Sequence, residues 1–198
     1  MEKRNPIIAP AVSAGNLVNL ERGKLPPQAV DLEEAVIGAM LIDKKGVDEV
    51  IDILQPEAFY KEANQHVFTA IHTLFETSEP IDLLTVSACL RKMGLLEKVG
   101  GDFYLVQLSK KVSTSAHIEF HARIILQKFI QRSLIKISNE IIEDAFKDSI
   151  DVFDLLDVAE SKLYDVTQGN IKKSSETAQN LVIPVSYTHL RAHETRHD

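Results

Sequence analysis

The sequence predicts an all-α fold, a small helical globular domain followed by a long antiparallel α-hairpin. Three observations carry this reading. Apolar residues recur at three- and four-residue spacing in segment after segment, the mark of helices with one buried face. Strand-like alternation is weak throughout. One stretch, "AHIEFHARIILQKFIQRSLIKISNEIIEDAF", runs about 30 residues without Gly or Pro, roughly 45 Å if helical and longer than a small core needs.

The elements follow in order. Residues 1–24 mix Pro, Gly, Asn and charge without period and read as a flexible arm. "LPPQAVDLEEAVIGAMLID" opens the domain, with Asp31 and Glu34 spaced as a capping box and Leu32, Val36, Ala39 and Met40 at helical spacing. Gly46 separates it from the short helix "VDEVIDIL", which stops before Pro56. "ANQHVFTAIHTLFETS" sets Val67, Ile71, Leu74 and Phe75 on one face. Pro80 ends a turn, Asp82 caps the next helix, and Gly94 lies just past its end. Gly100 and Gly101 turn the chain into a further short helix.

The globule is expected over about 25–115 and the hairpin over about 116–169. The first hairpin helix carries Ala122, Leu126, Ile130, Leu134, Ile137, Ile141 and Ala145 as its main stripe. After "KDSI", Asp151 and Asp154 open the second, with Leu156, Ala159, Leu163 and Val166 as its stripe and Gly169 as its end. A short link makes two long helices antiparallel neighbours. Residues 170–183 read as the start of a linker.

Composition narrows the function. Of 198 residues, 44% are hydrophobic and 26% charged, which suits a globular core. A net charge of -7 disfavours stand-alone binding to duplex DNA, whose affinity rests on Lys and Arg. The single cysteine, Cys89, cannot form an internal disulfide and fits a cytoplasmic setting and a small core position. The broken apolar run "MEKRNPIIAPAVSAGNL" is not a signal peptide, and no run of apolar residues is long enough to span a membrane.

Candidate chemistry is sparse. Gly23-Lys24 is the one Gly-Lys pair; Leu25 follows it, and Val18 stands where a P-loop needs its first glycine. ATP chemistry therefore has no seat in this chain. His117 and His121 have metal-ligand spacing without a third ligand, and His66 and His72 fall on different helix faces. Asp144, Asp148, Asp151, Asp154 and Asp157 cluster near the hairpin tip and could attract a basic partner. The last residues spell "HETRH", with His193, Glu194 and His197 as a zinc-hydrolase motif and His189 as a possible third ligand. A motif one residue from the chain end lacks the stable helix and cleft that zinc catalysis needs.

The segments "LPPQAVDLEEAVIGAMLID", "PEAFYKEANQHVFTAI", "EPIDLLTVSACLRKMGLLEKVGGDFYLVQLS" and "TSAHIEFHARIILQKFIQRSLI" resemble, in order and spacing, the N-terminal domain of the DnaB-type replicative DNA helicase family. "VFDLLDVAESKLYDVTQGN" is similar to that family's second hairpin helix. The resemblance runs from about Leu25 to Val182 and stops before any RecA-like domain. It implies a non-catalytic collar of a homohexamer, a trimer of dimers with paired hairpins, acting in DNA replication and docking primase in the primosome. In the family the parent ring encircles single-stranded DNA, moves 5′ to 3′, and uses ATP and Mg in the missing domain. No cofactor or metal is expected in this fragment. Ile124, Ile125, Phe129, Ile135 and Ile142 lie partly off the main stripe and are the candidates for burial against a second hairpin. A generic helical interaction module is the alternative, and a zinc hydrolase the remote one.

The tail reads differently. Ser186 to Glu194, "SYTHLRAHE", is similar to a translated transposase-type sequencing adapter. Residues 184–198 are therefore expected to be foreign to a truncated helicase gene, with the native sequence ending near Val182 to Pro184.

Overall fold

The computed structural model of the protein describes residues 25–111 and 117–171. Among these it is all-helical, as the periodicity predicts, with eight α-helices and no strand. They are α1 (Val30–Met40), α2 (Lys44–Val50), α3 (Glu62–Glu76), α4 (Leu83–Lys92), α5 (Leu96–Val99), α6 (Gly101–Lys110), α7 (Ile118–Ala145) and α8 (Val152–Ile171). A 3₁₀ turn at Pro56–Ala58 joins α2 to α3. Helices α1–α6 wrap one core that includes Val36, Ile37, Met40, Phe59, Phe68 and Leu105. The first two turns of α7 enter that core through Ile118, Ala122 and Ile125. Leu126 and Phe129 still pack against it; farther out α7 leaves the globule, and α8 returns against it.

Helix ends show how local sequence sets the frame. Asp82 accepts from Leu84 N and Thr85 N, while Thr85 Oγ1 accepts from Asp82 N, completing a capping box. At the other end of α4, Gly94 sits at φ 71° and Leu95 N reaches Leu90 O, the Schellman arrangement that needs a left-handed residue. The end of α3 repeats this closure, with Glu79 N on Leu74 O, but Ser78 holds the left-handed position at φ 55°. A side chain there costs about 1 kcal/mol relative to Gly. Ser78→Gly is therefore expected to raise stability by about 1 kcal/mol in urea denaturation. No gain would remove strain at this corner from the account.

Several expectations fail for reasons of packing. The Asp31 and Glu34 capping box is absent; Ala29 is the N-cap of α1 and makes no side-chain cap bond. Glu34 is used elsewhere. Gly46, expected as a break, lies inside α2. A Cβ there would stand 3.2 Å from Ile118 Cδ1 and 3.3 Å from Ala39 O, so the bare backbone lets α2 close on α1 and α7. Phe75 is exposed although Val67, Ile71 and Leu74 on its expected stripe are buried. Cys89 is only half-buried, with Sγ 3.9 Å from Ala70 O. Helix α8 runs through Gly169 to Ile171.

Adjacent glutamates on α1 tie three helices together. Glu33 is 1% exposed. Its Oε1 accepts from Tyr60 N at 2.7 Å, and its Oε2 from Lys61 N at 3.3 Å and Asn64 Nδ2 at 3.1 Å. It thus caps the start of α3 from outside that helix. Asn64 Oδ1 accepts from the Tyr104 hydroxyl at 2.6 Å, bringing in α6. Glu34 accepts from Lys61 Nζ at 2.8 Å and also from Lys111 Nζ.

Burial pushes the Glu34 carboxyl up, but hydrogen bonds from Lys111 and Lys61 outweigh it and hold the group below its ordinary value. A depressed carboxylate gives stability that is present above its unfolded pKa of about 4.3 and is lost as pH falls through the lower folded value. Asp82 is lowered likewise by its capping bonds. Thermal stability should therefore fall as pH drops below about 4.3. Glu34→Gln should show a shallower fall than the native chain. Identical acid profiles for the two would remove Glu34 from the acid transition.

Candidate self-association surface on the hairpin

Helix α7 has 28 residues, about 42 Å of rise. Its root is fastened by more than apolar contact. Arg132 donates from Nη1 to Pro27 O at 2.9 Å and from Nη2 to Ala58 O at 2.6 Å. Its guanidinium also stands 5.6 Å from the Tyr60 ring centroid and 5.9 Å from that of Phe129. Burial lowers the Arg132 pKa, with Glu33 opposing, yet a guanidinium stays charged at neutral pH. Farther out, Lys162 on α8 lies 3.0 Å from Glu140 Oε2 and 3.8 Å from Asp144 Oδ2 on α7. Between root and bridge, Phe129, Ser133 and Ile137 face Lys162 and Val166 across a shallow cavity of about 270 Å³.

The five residues picked for self-association separate into three groups. Ile125 is 1% exposed and belongs to the globule core, which corrects its assignment: α7 is seated so deeply that this turn already has partners within the chain. Phe129 is half-buried against the same core and beside Arg132. Ile124 is half-buried; Ile135 and Ile142 are 40% and 41% exposed. Ile124, Ile135 and Ile142 are spaced by eleven and seven residues, about three and two turns, so they share one face.

Helix α8 corrects the predicted stripe as well. Leu155, Ala159, Lys162 and Val166 are its half-buried row. Leu156 and Leu163 point outward, at 62% and 44% exposure. Val152 joins them, and Phe153 is 73% exposed near the tip. Sequence reasoning missed this outer row. The signal was available, since apolar residues on α8 cover too wide an arc for one stripe about 100° across.

The other candidates resolve plainly. His117 precedes α7 with φ 67°, outside the regular helix on which His121 sits, so the two do not share a helical face. Within α3, His66 lies 3.5 Å from Glu62 and His72 3.5 Å from Glu76. Asp144 is paired at 2.6 Å with Lys147, which with Lys162 holds its carboxyl below the usual range. Asp151 caps α8 by accepting from Phe153 N at 2.8 Å. Among the described residues, no group of three or more His, Cys, Asp or Glu is placed to hold a metal. Nor is any helix there long and apolar enough to cross a membrane. His189, His193, Glu194 and His197 lie outside the described residues, as do the arm 1–24, residues 172–183 of the expected linker, and the adapter-like tail.

Known proteins share this arrangement. The crystal structure of the N-terminal domain of DnaB helicase from Mycobacterium tuberculosis superposes with TM-score 0.68 at 34% identity, covering 71% of this chain and 99% of that one. A structure described as a DnaB-like replicative helicase and its interactions with primase matches in fold, with TM-score 0.58 at 21% identity over 76% of this chain and 35% of that one. Replicative DNA helicase DnaB of Rhodothermus marinus is 39% identical over 162 residues, 82% of this chain and 17% of that protein. Its counterpart in Geobacillus stearothermophilus is 38% identical over 160 residues, 80% of this chain and 34% of that protein. The chain thus spans 17% and 34% of the length of these two curated relatives. The DnaB-like helicase N-terminal domain model matches residues 25–127, more than half of the sequence, and the chain belongs to that family.

Proposed function

We propose that the chain acts as the non-catalytic collar of a hexameric 5′ to 3′ replicative helicase, assembling through its hairpins and docking primase. The observation that carries this is the hairpin surface. Ile135 and Ile142 on α7, with Leu156 and Leu163 on α8, remain exposed on helices whose inner rows are already paired. A second hairpin is the natural cover for such a surface, at about 25 cal/mol per Å² of apolar area before association costs. ATP and Mg are assigned to a separate RecA-like part of the parent, together with most of the grip on single-stranded DNA. A cytoplasmic replisome setting fits this role. The primase reading is supported by the likeness in fold to the primase-interacting helicase.

Sedimentation velocity over a micromolar concentration series tests the assembly. The native chain should dimerise reversibly. Ile135→Asp with Ile142→Asp should weaken that by at least about a hundredfold, since each buried Ile contributes roughly 1.5–3 kcal/mol. A constant monomer mass for the native chain would sink the hairpin pairing. Retention of primase on immobilised chain tests docking separately.

A further inference from the structure

We propose that residues 25–29 are a strap that latches the hairpin root, so that the segment leading into α1 sets the pose of the hairpin. The strap has no regular structure. Leu25 is 81% exposed, and none of residues 25–29 belongs to the buried core. The strap can therefore lift away without opening the globule. Pro26 and Pro27 lack a backbone N–H, so at these positions the backbone can be tied only through its carbonyls. The tie is Pro27 O, which accepts from Arg132 Nη1 at 2.9 Å across 105 residues of chain. The two proline rings fix φ, so presenting that carbonyl costs little further entropy.

Arg132 is placed to act as the catch. It stands where α7 leaves the globule, and its two acceptors belong to different segments, the strap and the 3₁₀ turn. The planar guanidinium donates to both at once, with the Tyr60 and Phe129 rings beside it. When the strap lifts, Pro27 O leaves with it. Ala58 is fully buried, so its carbonyl stays. The root then keeps one of its two bonds and loosens without coming apart. Strapped and unstrapped chains thus differ in the freedom of the hairpin and share one globule. Tension on the chain that leads into Leu25, or its capture by a partner, becomes movement of the hairpin.

Pulsed electron paramagnetic resonance on the full chain reads the pose directly. Spin labels go on Glu97→Cys in α5 and Asp148→Cys between α7 and α8, with Cys89→Ser removing the native thiol. Labelled chain is diluted into unlabelled chain, so that only distances within one molecule are read. The strapped chain should give one narrow distribution. Pro26→Gly with Pro27→Gly keeps the carbonyl but frees the backbone. It should keep native helical content and broaden the distribution by about 3 Å or more, the excursion of a tilt of about 9°. Arg132→Met should broaden it at least as much, and adding the two glycines to Arg132→Met should change nothing further. Asp82→Ala, which removes the cap of α4, should leave it narrow. A native distribution in the two-glycine chain would overturn the strap. Additive broadening in the combined chain would overturn Arg132 as its catch. Equal broadening in Asp82→Ala would reduce the effect to a general loss of stability and overturn the latch.

Discussion

Glu33→Ala should destabilise the fold by about 3–5 kcal/mol, a large share of the roughly 5–15 kcal/mol available to a domain. The glutamate is fully enclosed and accepts from two successive backbone N–H groups, Tyr60 and Lys61, and from Asn64. Removing it leaves those donors without their acceptor at the very start of α3. Each unsatisfied buried donor costs about 1–3 kcal/mol, and the lost side-chain volume adds a cavity term. Asn64 would also lose its clamp, which loosens the Tyr104 hydroxyl on α6. Glu33→Gln should fall between the two, because one oxygen survives while the amide NH₂ faces donors. Urea titration followed by circular dichroism gives the values. A loss within about 0.5 kcal/mol, the range of an ordinary surface substitution, would show that α3 does not depend on this external cap.

Arg132→Met should cost about 2–4 kcal/mol and loosen the hairpin root selectively. Methionine keeps the apolar stem beside Phe129 but cannot donate to Pro27 O or Ala58 O. Hydrogen bonds to a charged partner contribute about 1.5–3 kcal/mol each, and both acceptors here are backbone carbonyls from well-separated parts of the globule. Hydrogen exchange should accelerate around residues 126–133 of α7, with α4 left near native rates. Arg132→Lys should not rescue it, because one ammonium cannot span two carbonyls as the planar fork does. Native-like exchange in Arg132→Lys would mean that charge alone, and not the fork, seats the hairpin.

Local signals in the sequence and the observed fold agree where the chemistry is local. The Asp82 cap, the Gly94 closure and the unbroken α7 all follow from neighbours within a few residues. Contacts between distant segments were not legible in the same way. In the sequence Glu34 reads as the second half of a capping box with Asp31, and Glu33 carries no signal of its own. Their partners lie 27 to 77 residues away, and nothing in the α1 segment names them. The hairpin faces show a second limit. Periodicity reveals that α8 is apolar over a wide arc, but it does not choose between Leu155 and Leu156 for the inner row. Packing on α7 sets the inner row, and Ser133 and Ile137 face its Lys162 and Val166. Ile125 was misplaced for a related reason: its depth depends on how far the globule climbs α7.

That climb gives the molecule a mechanical character. Helix α7 is one continuous rod, clamped from Ile118 through Ile125 and Phe129 to Arg132 at one end and free of the globule core at the other. About 22 Å of it, from Ile118 to Arg132, is held and about 20 Å projects. The projecting arm is about as long as the held one, so a rotation at the clamp is carried to the tip at full size. A tilt of about 9° carries the far end sideways by about 3 Å, the width of an atom, without breaking a single turn of helix. Any partner that grips the tip thereby pulls on the interior of the globule.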